Sequence, residues 1–156
     1  MKKYKVADFG ALPGTGKTVT ESLQSAFDTC FLSGGGIVEI PGGEYLTGGL
    51  RLRSNTELHL CAGAKLIGTR NPEDYNILGS DTVEPVDLSA GYATKWNNGL
   101  IRILKAENVK ITGEDDSLIC GSNCYDPTGE ENYRGPHAIS CWFAKNLSFS
   151  GYTVRD

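Results

Sequence analysis

Two segments 38 residues apart share one frame. Residues 107–113 read ENVKITG and residues 145–151 read KNLSFSG, each an asparagine followed by alternating apolar and polar positions and a closing glycine. A third asparagine, Asn55, opens TELHL at 56–60 in the same way. Self-similarity of this kind is the mark of a chain built from stacked units, each too small to bury its apolar face alone. Around these frames lie further short runs of β-type composition: IVEI at 37–40, LRL at 50–52, KLI at 65–67, LIRIL at 100–104, SLIC at 117–120 and AISCWF at 138–143.

Two all-β architectures accommodate such runs, an antiparallel sandwich and a parallel solenoid. A sandwich calls for two-residue hairpin turns between consecutive strands, yet the one Asn-Gly dipeptide, Asn98-Gly99, follows a long irregular stretch. Stacked coils instead bring equivalent turn residues together, so the recurring asparagines are expected to hydrogen-bond one another as a ladder. Glycine, 20 of the 156 residues, is nearly twice its usual share of about 7% and falls between the runs as turn punctuation. One helix is expected over about 19–32, where Leu23, Ala26, Phe27, Cys30 and Phe31 recur at helical spacing. Thr20 is expected to cap its start, and Gly34 to Gly36 end the pattern. A solenoid end exposes apolar side chains and unpaired backbone, and Leu23, Phe27, Cys30 and Phe31 supply a face to cover it. The expected organisation is a cap segment at 1–36, first coils at 37–68, a long loop at 69–98 and further coils at 99–156. The Pro-, Asp- and Asn-rich loop reads either as the rim of a cleft or as a solvated insertion.

A net charge of −4 gives no basic excess of the kind that nucleic-acid binding needs, so no nucleic-acid partner is expected. No apolar run approaches the roughly 20 residues of a membrane span, and MKKYKVADFG turns polar before a signal-type apolar stretch develops. Five cysteines (Cys30, Cys61, Cys120, Cys124 and Cys141) cannot all pair within the chain and lack the paired knuckles of a structural zinc site. They are expected to be free, packed thiols in a reducing compartment, with no metal and no cofactor. The expectation is a cytoplasmic protein, with an extracellular or periplasmic one also compatible.

Three segments invite a chemical reading. ALPGTGKT at 11–18 mimics a phosphate loop, but Ala11 stands where a first glycine belongs and no βαβ alternation follows. Glu114-Asp115-Asp116 offers carboxylates, although adjacent strand residues point to opposite faces, which favours a solvated turn between VKITG and SLICG. CYDPTGEENYRGPH at 124–137 carries Arg134 and His137, suited to a carboxylate or to hydroxyls, or else to a rigid turn entering the next strand through Gly135 and Pro136. Arg51, Arg53, Lys65 and Arg70 are expected along one edge, either as a local positive field or as solvated surface charge.

The blocks VADFGALPGTGKTVTESLQSAFDTC, GGGIVEIPGGEYLTGGLRLRSNTELHLCAGAKLIGTRNPEDY, ENVKITG and CYDPTGEENYRGPH, in that order, resemble the N-terminal part of the family 28 glycoside hydrolases, the polygalacturonase family. The resemblance implies a right-handed parallel β-helix of the pectin-lyase-like type and inverting hydrolysis of galacturonosyl linkages without a metal. It also implies a pectic poly- or oligosaccharide as substrate. The family's N-x-D, G-D-D, G-H-G and R-x-K elements do not occur here in order. GEDDSLICG at 113–121 echoes the G-D-D stretch only superficially, so no catalytic role passes to Asp115 or Asp116. The catalytic aspartates are expected beyond Asp156, and Arg134 and His137 are the expected substrate-binding residues. An interrupted stack of this kind is expected to self-associate through its uncapped last coil. A β-helical carbohydrate-binding or adhesion module without catalysis is the alternative that the same residues allow.

Overall fold

The structure is a computed structural model and describes residues 1–75, 99–125 and 135–156. Most of the expected 69–98 loop, together with Arg134, lies outside the described residues. The strands are β1 (Lys3–Lys5), β2 (Gly36–Ile40), β3 (Gly43–Thr47), β4 (Leu50–Leu52), β5 (Thr56–Leu60), β6 (Ala64–Gly68), β7 (Gly99–Leu104), β8 (Glu107–Gly113), β9 (Leu118–Cys120), β10 (His137–Trp142), β11 (Lys145–Ser150) and β12 (Thr153–Arg155). A helix, α1 (Thr20–Leu32), follows β1. Every strand pairing among the described residues is parallel.

The strands form three sheets, ordered β1-β2-β5-β8-β11, β3-β6-β9-β12 and β4-β7-β10, referred to below as the first, second and third sheets. From β2 onward the chain visits the three sheets in turn and then begins again, so each circuit is one coil. This is the expected parallel β-helix.

Alternation along the strands builds the core. Tyr4, Val38, Leu58 and Ile111 stand in register across the first sheet, as do Tyr45, Leu66 and Ile119 across the second, and Leu50 and Ile101 in the third. All are buried. Each such side chain removed from water contributes roughly 1.5–3 kcal/mol, but only because the coils above and below hold it in one column.

The asparagine ladder is present. Asn108 Nδ2 donates to Asn55 Oδ1 at 3.0 Å, and Asn146 Nδ2 donates to Asn108 Oδ1 at 2.5 Å. The three residues have φ of 61°, 58° and 56°, the left-handed conformation that asparagine tolerates better than other residues with a side chain. One coil earlier Gly35 (φ 106°) lies against Asn55, and a Cβ there would sit 2.7 Å from the asparagine Cβ. Glycine therefore begins the column and asparagine continues it.

The N-terminal segment closes the first coil on all three sheets. β1 pairs with β2. Along β3, Gly14 N–H donates to the Glu44 carbonyl at 2.8 Å and Val19 N–H to the Leu46 carbonyl at 2.9 Å. On β4, the Gln24 side chain takes the place of a missing strand: its Nε2 donates to the Arg51 carbonyl at 3.0 Å, and its Oε1 accepts the Arg51 N–H at 2.8 Å. Leu23, Ala26, Phe27 and Cys30 form the buried face of α1, while Phe31 is only half-buried and has the Arg53 guanidinium 5.1 Å above its ring. The helix ends as expected at glycine, with Gly34 N–H on the Phe31 carbonyl and Gly35 N–H on the Cys30 carbonyl.

Two expectations need correction. Thr20 does not cap its own helix. Val19 occupies the cap position without a side-chain bond, and Thr20 Oγ1 accepts the Gly48 N–H at 2.8 Å. A hydroxyl near the sheet satisfies a strand-linking amide there. β1, β3 and β12 were also not among the expected runs, because KYK and TVR are three residues long and GEYLT puts a charge and a glycine beside its inward Tyr45.

Replacing Gln24 by alanine leaves both Arg51 backbone groups without their side-chain partner and is expected to lower unfolding free energy by about 1–3 kcal/mol, read from urea denaturation. Asn108→Ala is expected to cost about 1–2 kcal/mol from the left-handed backbone and the lost ladder bonds. Asn108→Gly should recover the backbone share but not the ladder share, a split that the same titration measures.

Candidate functional site

The connections between strands differ most in length at one corner of the coil, between the second and third sheets. In the first coil only Gly48 and Gly49 separate β3 from β4, whereas residues 69–98 lie between β6 and β7, and residues 121–136 between β9 and β10. The third sheet is therefore the one bordered by the added chain. All six residues of β7 are buried, so its outer face is covered as well as its inner one.

Arg102 stands at the centre of that strand. Ile101 and Ile103 on either side are buried in the core, which turns Arg102 to the opposite face. Arg51 on β4 and Ser140 on β10 are its register partners. Arg102 is only 3% exposed. Burial, and then the neighbouring Arg51 guanidinium, push its pKa below the usual arginine value. The two guanidinium-bearing residues thus stand one strand spacing apart, with water largely removed from Arg102. Trp142, paired in register with Leu104, extends the same strand face, and its ring lies 6.5 Å from that of the exposed Phe143.

The residues expected at the site are distributed differently. His137 opens β10 opposite Gly99 and is half-buried. Gly135 packs against the backbone of Cys124 and Tyr125 so closely that a Cβ has no room, so the two ends of the 126–134 segment meet beside β10. Glu114, Asp115 and Asp116 form the turn between β8 and β9, with Asp116 at φ 61°; the Asp115 carbonyl accepts Gly63 N–H at 2.9 Å, and Glu114 turns to His59 at 3.0 Å. This is the turn reading of the acidic triplet.

The expected basic edge divides. Arg51 and Arg53 border the third sheet, Lys65 pairs with Glu44 at 3.3 Å, and Arg70 Nε donates to the Ser122 carbonyl at 3.1 Å. All five cysteines are free thiols, but Cys141 is exposed rather than packed. The phosphate-loop look-alike is part of the cap, its Gly14 amide bonded to β3. Sequence reasoning passed over Arg102, although an arginine at the centre of the apolar run LIRIL was the available signal.

Residues 69–75 fold back over the first coil, where Gly49 N–H reaches the Asp74 carbonyl at 3.0 Å. Tyr75 is buried beneath this return, and its hydroxyl donates to the Thr69 carbonyl at 2.6 Å. Gly68 leaves the space that the Tyr75 hydroxyl fills.

The three-sheeted parallel coil defines the chain as a pectin-lyase-like β-helix. Within that class its likenesses include the family 28 polygalacturonases. It is similar to the family 28 exopolygalacturonase of Yersinia enterocolitica (TM-score 0.71, 23% identity, 99% of this chain and 35% of that one). It is also similar to a hyperthermoactive exopolygalacturonase of Thermotoga maritima (TM-score 0.75, 20% identity, 98% and 41%). PfbA, a surface adhesin of Streptococcus pneumoniae, shares the fold (TM-score 0.65, 17% identity, 98% and 33%). Among curated proteins, the exo-poly-alpha-D-galacturonosidase of Dickeya chrysanthemi is 37% identical over 75 residues, which is 47% of this chain and 12% of that protein. Alginate lyase 7 of Azotobacter vinelandii is 32% identical over 121 residues, 77% of this chain and 13% of that protein. The chain thus spans about an eighth of the length of these two relatives. No family profile matches it.

Burial pushes the Tyr75 hydroxyl up to about 12. The unfolded side chain ionises from about pH 10, so the unfolded state gains stability there before the folded one does. Unfolding free energy is therefore expected to fall by on the order of 2 kcal/mol as pH rises from 10 through about 12. Tyr75→Phe should remove the largest part of that slope in denaturation curves recorded across this range.

Proposed function

We propose that this chain forms the capped end and first coils of a polygalacturonase-like glycoside hydrolase acting on an acidic polysaccharide, with the catalytic carboxylates supplied by later coils. The observation that carries the reading is the three-sheeted parallel coil, capped at one end, in which the connection from the second sheet to the third lengthens beyond the first coil. Arg51, half-buried on β4, is the third-sheet residue we assign to a substrate carboxylate, since arginine forks match carboxylates bidentately. His137, which opens β10, and Arg134, three residues before it in the sequence, are the further residues we assign to substrate hydroxyls and carboxylate.

The names of the relatives support an acidic polymer more strongly than they support one reaction. A galacturonosidase, an alginate lyase and mannuronan epimerases cleave or rearrange uronic-acid chains in chemically different ways, yet all match this part of the molecule. We therefore assign the capped coil to the substrate class that these names have in common and the choice of reaction to other residues. In an inverting hydrolase those residues would be two carboxylates about 6.5–9.5 Å apart, one protonating the leaving oxygen and one activating water.

The second reading, a non-catalytic β-helical binding or adhesion module, is favoured by the shared fold of the pneumococcal adhesin. Incubation of the protein with polygalacturonate decides between them. Release of new reducing ends from polygalacturonate supports the hydrolase, and tight binding without release supports the module.

For the chain itself, calorimetric titration with oligogalacturonates of defined length is expected to show binding that weakens with added salt, and a neutral oligosaccharide of equal length should bind at least tenfold more weakly. Arg51→Gln is expected to weaken oligogalacturonate binding about three- to tenfold, since charge-assisted bonds are worth roughly 1.5–3 kcal/mol before screening. Equal affinity for the neutral and acidic ligands would overturn the assignment of this face.

A further inference from the structure

Opposite the third sheet, on the outer face of the first, stacking assembles a set of donors that has no part in the proposed function. His59 lies between the buried Leu58 and Leu60 of β5 and therefore faces outward. Cys61, two residues on, follows it on that side. Glu114, just past β8, is held by its own N–H on the Leu60 carbonyl at 2.9 Å. Its carboxylate is oriented by the Ala62 N–H, 3.0 Å from Oε2, which leaves Oε1 3.0 Å from His59 Nε2. One ligating atom each from His59, Cys61 and Glu114 lies within 4.8 Å of the other two, the only such trio of His, Cys, Asp or Glu among the described residues.

Proton accounting on the other side of the ring is informative. The Thr112 hydroxyl donates to Glu57 Oε1 at 2.7 Å and has one proton to give. It therefore accepts at 2.8 Å from His59 Nδ1, which fixes the proton on Nδ1. In the neutral ring, the Nε2 lone pair then faces a carboxylate oxygen. That gap is stable only if something electron-poor fills it, either a second ring proton or a cation. A histidine whose Nδ1–H is anchored through a hydroxyl to a carboxylate has the supporting arrangement typical of metal-bound imidazole.

We propose that His59 Nε2, Cys61 Sγ and Glu114 Oε1 form a binding site for a divalent d-block cation of the zinc type, clipping the coil of β5 to the coil of β8. One nitrogen, one sulfur and one oxygen donor suit a borderline ion rather than calcium or magnesium. Ligands on tetrahedral zinc stand about 3.3–3.8 Å apart, so closing the trio needs only small rotations of Cys61, which is half-buried, and of Glu114, whose side chain is 51% exposed. Glu57, on the same strand as His59, adds negative potential, whereas Glu39, the register partner of His59, is paired with Lys3 at 2.6 Å. On binding, the cation replaces the Cys61 thiol proton, which passes to solvent. The fourth position is left to water, which makes the site a cross-coil clip open to solvent on one side.

The test uses the intact chain, stripped of metal and titrated with Co²⁺. One equivalent is expected to produce tetrahedral d–d bands and a thiolate-to-cobalt charge-transfer band, both bleached by added Zn²⁺. Cys61→Ser should abolish the charge-transfer band, and His59→Ala and Glu114→Gln should each weaken binding at least tenfold, while Cys124→Ser leaves the spectrum unchanged. Should a variant fail to fold, alkylation of the unaltered chain reads the same site, since one equivalent of Zn²⁺ should slow modification of Cys61 at least tenfold and leave Cys141 unaffected. A chain with no charge-transfer band at one equivalent, a band that survives Cys61→Ser, or Cys61 alkylation indifferent to Zn²⁺ would each overturn the site.

Discussion

A parallel β-helix has no turn that returns a strand upon itself, so each coil can satisfy its backbone only through the coil before it and the coil after it. Everything else in this molecule depends on how the first coil obtains a neighbour. Three sheets begin at that end, and three different devices meet them. A short strand pairs along the first, two loop amides reach the second, and one glutamine side chain engages the third. The Gln24 amide is well suited to this because it carries a donor and an acceptor at the spacing of a peptide group. A helix that only covered the apolar end would leave the Arg51 backbone groups of β4 without these partners, at a cost of about 1–3 kcal/mol.

Once the first coil is closed, the stack extends by repetition, and the conformation of one turn decides whether successive coils stay in register. The asparagines serve this turn twice over, by tolerating the left-handed backbone and by bonding to their counterparts above and below. Because this corner is fixed, variation in length is displaced elsewhere. The interval between ladder asparagines is 53 residues in one step and 38 in the next, and the difference is taken up where the second sheet passes to the third. A constant corner and a variable corner on the same coil separate the part that maintains stacking from the part to which we assign the ligand. Arg51 and Arg102 stand in register on the sheet that follows the variable corner.

Much of this was legible in the chain itself. The repeated asparagine frame implied stacked coils and a ladder, and the strand runs from IVEI to LSFS correspond closely to strands. The helical spacing of Leu23, Ala26, Phe27 and Cys30 identified the capping face. These signals are local, since alternation and helical spacing follow from the direction of successive side chains. Thr20 was misread because a hydroxyl at a helix start usually bonds within the helix, and only the nearby Gly48 amide redirected it. The acidic triplet was rightly read as a turn, yet its Glu114 proved to face an imidazole 55 residues away.

The sequence by itself determined the architecture, because period-two alternation, recurrent left-handed asparagines and glycine punctuation are each compatible with few backbone paths and agree on one. The tertiary structure alone decided which distant residues became neighbours. Arg51 with Arg102, Gln24 with the β4 backbone, and His59 with Glu114 are joined by coils of unequal length, and no periodicity in the chain encodes that register. The physical reason is that stacking converts sequence separation into adjacency of one strand spacing, and the conversion depends on how many residues each coil releases at its variable corner.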